Sequence, residues 1–285
     1  MEKFNGKALY QPSGKAAEYS PWAANFYTGC SNDCEYCYCK RGVLSHVWDT
    51  KPNLKKCFRD EDHALNIFTS ELSRNLEAVR KTGVLFSFTT DPMLPETRDL
   101  TMRAAETALE MDVPVQILTK RADWFYETDF VTYVETSEIW KNNKHRVAFG
   151  FTLTGFDEME PFADLNGDRV VVLIRLKYLG FRTFASIEPV VTPSRSMEVI
   201  DSILGFCDLF KVGLMSGKKT DYNPRHMHKF MDELVSLSLI GNKIYLKDSF
   251  LDYFELDRAE LPGKFVDSDY DIFAPDADIF KSQIL

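Results

Sequence analysis

Seven short apolar runs, alternating with amphipathic stretches, constrain the fold of this chain more than any other feature. The runs are WAANFYTG (22–29), GVLFSFTTD (83–91), VPVQILTK (113–120), RVAFGFTLTG (146–155), FRTFASIEPV (181–190), LFKVGLMSG (209–217) and KIYLKDS (243–249). They are rich in Val, Ile and Phe and bounded by Gly, Pro, Asp or Asn, the pattern of buried strands. Between them lies helical spacing. Residues 61–81 place Leu65, Phe68, Leu72, Leu76 and Val79 three to four positions apart, with Asp60 or Asp62 as the N-terminal cap. Stretches 97–111, 123–138, 168–180, 194–206 and 224–241 fill the remaining gaps. Gly83, Gly180 and Gly241 follow helix ends, where a left-handed residue is favoured.

Strands alternating with helices predict parallel pairing through right-handed crossovers. Six or seven such units suit an α/β fold of the partial (βα)6-type barrel, spanning 22–255. Residues 1–21 read as an N-terminal extension, and the acidic, aromatic-dotted stretch 256–285 as a C-terminal extension packed across the barrel. In parallel barrels the C-terminal strand ends form the active-site mouth. Here those ends read TTD, TK, TLT, SIE, MSG and KDS.

The formal net charge of the 285 residues is −9, which argues against a protein that grips DNA through its phosphates. The basic run KPNLKKCFR (51–59) reads as a solvated loop. No apolar stretch approaches the roughly 20 residues needed to span a bilayer. The first twenty residues show no secretory pattern, so a reducing cytoplasm is expected, where metal or redox roles for cysteine prevail over disulfides.

That expectation bears on YTGCSNDCEYCYCKRG (27–42), which puts four cysteines into ten positions. Zinc sites draw on two Cys-x2-Cys pairs or on Cys and His pairs. Here Cys30-x3-Cys34-x2-Cys37 offers three ligands, Cys39 is expected to point elsewhere, and zinc would have to borrow His46 or His63. Inert core cysteines would follow core periodicity rather than sit in a loop rich in Gly, Ser, Asn and Asp. Iron–sulfur clusters are held by thiolates, normally four. Three thiolates leave one iron of a [4Fe–4S] cluster open, as catalytic metal sites require. Cys207 reads as core, and His226 and His228 as surface residues.

A Cys-x3-Cys-x2-Cys loop just after the first strand of a (βα) repeat resembles the radical S-adenosylmethionine (SAM) superfamily. Tyr36, the aromatic before the third cysteine, matches the position that contacts the SAM adenine in that family. The resemblance implies a radical SAM barrel in which Cys30, Cys34 and Cys37 bind a [4Fe–4S] cluster. The amine and carboxylate of SAM chelate the fourth iron, and reductive cleavage gives a 5′-deoxyadenosyl radical. It also implies a flavodoxin or ferredoxin as electron donor. Over about 22–250 the chain is similar to the spore photoproduct lyase-like branch. The second strand of that branch ends in Cys-Thr-Ser-Asp; here it ends Phe88-Thr89-Thr90-Asp91. The Thr-Lys of its third strand is matched by Thr119-Lys120, where the lysine pairs with the SAM carboxylate. Thr152 stands where the branch carries a serine near SAM, and Thr90 is a further SAM-side hydroxyl.

Two departures stand out. The lyase's hydrogen-donating cysteine is replaced by Phe88, and the cluster motif begins at residue 30, leaving no room for the domain that precedes it in that lyase. With the acidic charge, these turn the expectation from DNA repair toward a lyase acting on a small, modified, purine-like base, as queuine lyase does. Asp91 and Glu188 are then the candidate catalytic carboxylates, accepting hydrogen bonds from the base, with Lys247 and Asp248 as further candidates. For Asp91 the competing role is a loop cap before Pro92. Glu188 interrupts an apolar strand, where a carboxylate needs a partner. The alternatives are a DNA-lesion lyase and a non-catalytic zinc or iron–sulfur module.

Overall fold

The computed structural model describes residues 3–41, 45–46, 48–215 and 221–274. An α/β architecture emerges around one mostly parallel sheet. Its strands are β1 (Leu9–Tyr10), β2 (Ala23–Ala24), β5 (Val84–Phe86), β6 (Val115–Thr119), β7 (Val147–Thr152), β8 (Arg182–Val190), β9 (Leu209–Leu214) and β10 (Ile244–Leu246), lying side by side in that order. All neighbours from β2 to β10 pair in parallel, and only β1 runs antiparallel, on β2. The parallel run therefore numbers seven strands, with β1 and β10 at the edges of an open sheet. A separate two-stranded ribbon joins β3 (Tyr27–Thr28) to β4 (Asn53–Leu54).

The central strands are covered on both faces. Every residue of β7, VAFGFT, is buried, as is every residue of β9, LFKVGL. Parallel strands with helices outside and side chains inside read as continuous apolar runs for this reason. The helices are α1 (Glu61–Arg74), α2 (Leu76–Thr82), α3 (Arg98–Glu110), α4 (Trp124–Glu127), α5 (Phe130–Thr136), α6 (Glu138–Asn142), α7 (Asn166–Tyr178), α8 (Pro193–Ile203), α9 (Pro224–Leu239) and α10 (Asp248–Phe254). Asp60 caps α1 by accepting from His63 N at 2.7 Å, and Asn223 caps α9 ahead of Pro224. None of the helices among the described residues is long and apolar enough to cross a membrane.

Three elements differ from the sequence expectation, and in the first two a polar side chain competes for backbone partners. The run 22–29 breaks into β2 and β3 at buried Asn25, whose side chain bonds Tyr10 Oη at 2.6 Å and Phe88 N at 2.7 Å. The single helix expected over 61–81 breaks at Asn75, whose amide turns back to Glu71 O at 2.8 Å. The 123–138 region becomes α4, α5 and the start of α6, interrupted at left-handed Asp129 and extended Ser137. Gly83, Gly180 and Gly241 all have positive φ, as their place after helices predicts. Ser216 and Gly217, expected to end the sixth run, lie outside the described residues.

Segments near both ends of the described residues bond to the sheet. Glu71 of α1 accepts the backbone N–H groups of Lys7, Ala8 and Leu9 at 2.7–2.9 Å, fixing the N-terminal segment beside β2. That segment then crosses to the other edge of the sheet. Lys211, in the middle of β9, donates to Glu18 O at 3.0 Å and Tyr19 O at 2.9 Å. Glu18 in turn accepts from Asp248 N at 2.8 Å and Tyr245 Oη at 3.2 Å. The C-terminal segment bonds Val266 N to Ile244 O at 3.0 Å and buries Ile272 against Ala148, Phe184, Leu209 and Tyr245. These contacts lay residues 266–274 against the sheet; residues 275–285 of the stretch read as an extension lie outside the described residues.

Burial, opposed by Glu18 and Glu188 and aided by the Lys247 ammonium, pushes the pKa of Lys211 down from its ordinary 10.5 to about 7. Between these values the unfolded chain binds more protons at this site than the folded one, so stability rises with pH across that window. Urea unfolding of the wild type and Lys211→Met at pH 7 and pH 9 should show a gain for the wild type that the variant lacks; equal pH increments would count against this charge state.

Candidate active site

The three cysteines of the spaced motif occupy the loop that β3 and β4 bracket. Tyr27 pairs with Leu54 and Thr28 with Asn53, and Cys30 N donates to Asp49 O at 3.0 Å. Gly29 makes this turn possible. Its φ is +88°, and a Cβ there would lie 2.2 Å from Lys51 O. The loop is fastened to its neighbours by Glu35 N on Met159 O at 2.9 Å and by the Tyr38 hydroxyl on Phe88 O.

One cavity of about 750 Å³ opens above the strand ends, and Cys30, Cys34 and Cys37 line it. Burial, then the Asp91 charge, pushes the Cys30 thiol up to about 12, and burial also raises Cys34. Cys37 moves the other way, to about 6, because the Cys39 thiol hydrogen-bonds to it. Cys39 therefore does not point elsewhere. A 3-10 turn over Tyr38–Lys40 returns it to Cys37 and sets its Sγ 3.6 Å from Phe88 O.

The same cavity is lined by Tyr36, Thr90, Asp91, Lys120, Thr152 and Glu188. The sequence-derived candidates thus converge on one space, in different roles. Asp91 is committed to the protein: it accepts from Asn32 Nδ2 at 2.8 Å, Met93 N at 3.0 Å, Thr119 Oγ1 at 2.6 Å and Lys120 N at 2.7 Å. Four donors fill its lone pairs, so it ties the cysteine loop to the ends of β5 and β6 rather than presenting a free carboxylate. This is the capping role, extended to three segments.

Tyr36 is held from behind. Its hydroxyl donates to Glu160, whose other oxygen lies 2.7 Å from Arg169 Nη1, with neither side chain of that ion pair exposed. Arg169 also donates to the carbonyls of Thr152, at 2.8 Å, and Asp164. Lys120 lies 5.5 Å from the centre of the Tyr36 ring. Burial disfavours its charge, but Cys34, Glu160 and Asp91 outweigh that, and its pKa rises. No carboxylate comes within ion-pair distance of its ammonium among the described residues, so it remains available to a ligand.

The wall made by β8 and β10 carries a second set. Glu188 Oε2 accepts from Tyr19 Oη at 2.7 Å and lies 2.6 Å from Lys247 Nζ, and Tyr19 Oη is 2.6 Å from Ser186 Oγ. Lys247 also sits 3.4 Å from Glu18 Oε2. Asp248, the other candidate at the end of β10, turns out to Arg258 at 2.7 Å and does not line the cavity. Sequence reasoning missed Glu18, Tyr19, Asn32, Glu160 and Arg169. Tyr19 and Glu18 belong to a segment without periodicity; a carboxylate–arginine pair nine residues apart carries no local signal.

The donor set fits a [4Fe–4S] cluster with SAM in kind. Four thiols, those of Cys30, Cys34, Cys37 and Cys39, line the cavity, the first three at the spacing of the motif. The Lys120 ammonium is free to meet a carboxylate, and two buried acceptors in the lining, Asn32 Oδ1 and Thr90 Oγ1, lack a partner among the described residues. No three His, Cys, Asp or Glu side chains among the described residues converge as ligands of one metal ion. Of the histidines considered for zinc, His63 is engaged: its Nδ1 accepts from Arg59 N at 3.1 Å.

No family model matches the chain, and no curated protein matches it. Among solved structures, Streptococcus suis SuiB bound to S-adenosylmethionine is similar at a TM-score of 0.49 and 13% identity, over 81% of this chain and 52% of that one. SuiB alone gives 0.46 and 10%, over 86% and 52%. SuiB bound to precursor peptide SuiA gives 0.48 and 12%, over 80% and 50%. The chain thus spans about half the length of these structures.

Replacing Glu160 by Ala strands the Arg169 guanidinium in the interior, a change that typically costs about 3–5 kcal/mol. Chemical denaturation of Glu160→Ala should show a loss of that order, with Glu160→Gln, which keeps an acceptor for Tyr36, losing less. A wild-type midpoint for Glu160→Ala would show that the pair does not hold this wall.

Proposed function

We propose that this chain is a radical SAM enzyme of the spore photoproduct lyase-like kind that cleaves a bond in a small modified nucleobase of the queuine class. The observation that carries the reading is one cavity lined by the thiols of Cys30, Cys34 and Cys37, with Cys39 beside them, by the Lys120 ammonium and by the Glu188 carboxylate. Cys30, Cys34 and Cys37 would hold the cluster. Bound there with SAM, it supplies one electron to the sulfonium and so a carbon radical strong enough to take hydrogen from an unactivated C–H bond.

The chain's own residues account for the rest. The Lys120 ammonium binds the SAM carboxylate, a charge-assisted contact in a half-buried setting. Tyr36, backed by Glu160, gives the adenine a flat apolar surface. Thr90 and Thr152 present hydroxyls to the polar edge of the nucleoside. Asp91 keeps the cysteine loop and Lys120 in register. Glu188 accepts N–H groups of the substrate, and Phe88, Tyr38 and Trp48 add aromatic surface to the lining. The net charge of −9 favours a free base over a DNA-bound lesion.

The test is anaerobic reconstitution with iron and sulfide, followed by dithionite and SAM. 5′-Deoxyadenosine should form, and Cys30→Ala, Cys34→Ala and Cys37→Ala should each abolish it along with the cluster absorption. Cys39→Ala should retain near-normal iron; a colourless Cys39→Ala protein would reassign the ligands. Lys120→Ala should weaken SAM binding about 10- to 100-fold, the scale of one hydrogen bond between charged groups, with smaller loss of cluster content. Wild-type protein that binds zinc without sulfide, or yields no 5′-deoxyadenosine, would end the reading.

A further inference from the structure

The carboxylate of Glu188 is held asymmetrically. Both of its protein partners, the Tyr19 hydroxyl at 2.7 Å and the Lys247 ammonium at 2.6 Å, converge on Oε2. Oε1 has no donor among the described residues, yet it is not one of the buried atoms left without a partner. It therefore keeps contact with the cavity that Glu188 lines. An ion pair serving stability alone would gain by spreading its donors over both oxygens, since each unsatisfied lone pair of a half-buried carboxylate costs free energy.

The surroundings are built for this arrangement. Lys247 is 1% exposed and packs its ammonium 4.4 Å from the centre of the Tyr19 ring. Tyr19 is pinned a second time by Ser186 and lies 5.1 Å from the Lys211 ammonium on its other contact. Gly213 leaves the required room: a Cβ there would meet Lys247 Cδ at 2.9 Å and Glu188 Oε1 at 3.1 Å. The same geometry narrows the ligand. A cation at Oε1 would approach the Lys247 ammonium, and an anion would approach the Glu188 carboxylate itself. An uncharged N–H donor meets neither penalty.

We propose that Tyr19 and Lys247 are positioning residues that turn Glu188 so that Oε1 receives a neutral pair of N–H donors from the substrate, as on the amino and ring N–H edge of a 7-deazaguanine. This deepens the reading of the cavity as a nucleobase site and rests on it. The hydroxyl and the ammonium fix the rotation of the carboxylate before the ligand arrives, and Glu18 holds Lys247 from the far side. Selectivity then comes from the donor edge, because a base lacking the amino group leaves Oε1 desolvated and unpaired.

The experiment is calorimetric titration of the reconstituted protein, with SAM present, by 7-deazaguanine and by 7-deazahypoxanthine, which lacks the 2-amino group. Wild type should bind the first at least tenfold more tightly. Glu188→Gln and Tyr19→Phe should each bring the ratio within about twofold, and Lys247→Met should do the same. The ratio is unaffected by the fraction of folded protein, so a variant that merely destabilises the barrel leaves it at the wild-type value. A Tyr19→Phe ratio equal to wild type, a wild type that binds neither base or does not discriminate, or tighter binding of the cation benzamidine than of 7-deazaguanine would each overturn the proposal. If 5′-deoxyadenosine forms while the ratio is flat, the positioning role fails and the radical chemistry stands. If the ratio holds while no 5′-deoxyadenosine forms, the radical reading fails and the recognition site stands.

Discussion

Asp91 accepts from the cysteine loop through Asn32, from its own loop through Met93, and from the end of β6 through Thr119 and Lys120. A buried carboxylate with four donors is fully compensated, so these segments are tied to one point at little desolvation cost. The contacts around the cysteine loop and the end of β6 take their position from that point. Lys120 stands beside Tyr36 because its backbone is hung from Asp91, and the cysteines face Lys120 because Asn32 is. Glu160 repeats the device one strand further on, joining Tyr36 to Arg169 and through it to β7. The cavity is rigid where side chains that do not bind a ligand hold those that would.

Around this frame the electrostatics are divided. The cysteine wall is closed by Lys120, the one ammonium there without a carboxylate at ion-pair distance among the described residues. The β8–β10 wall holds Lys247 between the carboxylates of Glu188 and Glu18, with Lys211 on the Glu18 backbone carbonyl. The first arrangement suits an anionic group, the second an uncharged one. A chain with an acidic surplus overall thus sets Lys120 and Lys247 in the lining of one cavity.

Much of this was legible in the chain. Strand–helix alternation survives because buried parallel strands need unbroken apolar runs, and Val147–Thr152 shows that pattern in full. The cysteine spacing, Lys120 at a strand end and Glu188 on an apolar strand all marked positions that the fold brings together. What stayed hidden depends on contacts between distant residues. Tyr19 meets Glu188 across 169 positions and Glu18 meets Tyr245 across 227, with no periodicity to announce either. Asp91 looked the same whether it served a ligand or a loop, because both roles ask for a carboxylate before a proline; only its four donors decide. Cys39 was misplaced because an extended chain was assumed where a 3-10 turn folds it back.

The crossing of the N-terminal segment has a consequence for synthesis. Glu18 leaves the ribosome early, yet its partners Tyr245 and Asp248 are among the last parts of the sheet to be translated. The cysteine loop is therefore exposed to the cell for most of translation before the wall opposite it exists. Contacts of such long range close late and slowly. Closing the cavity is then a late step, taken only after Glu18 has met Tyr245 and Asp248.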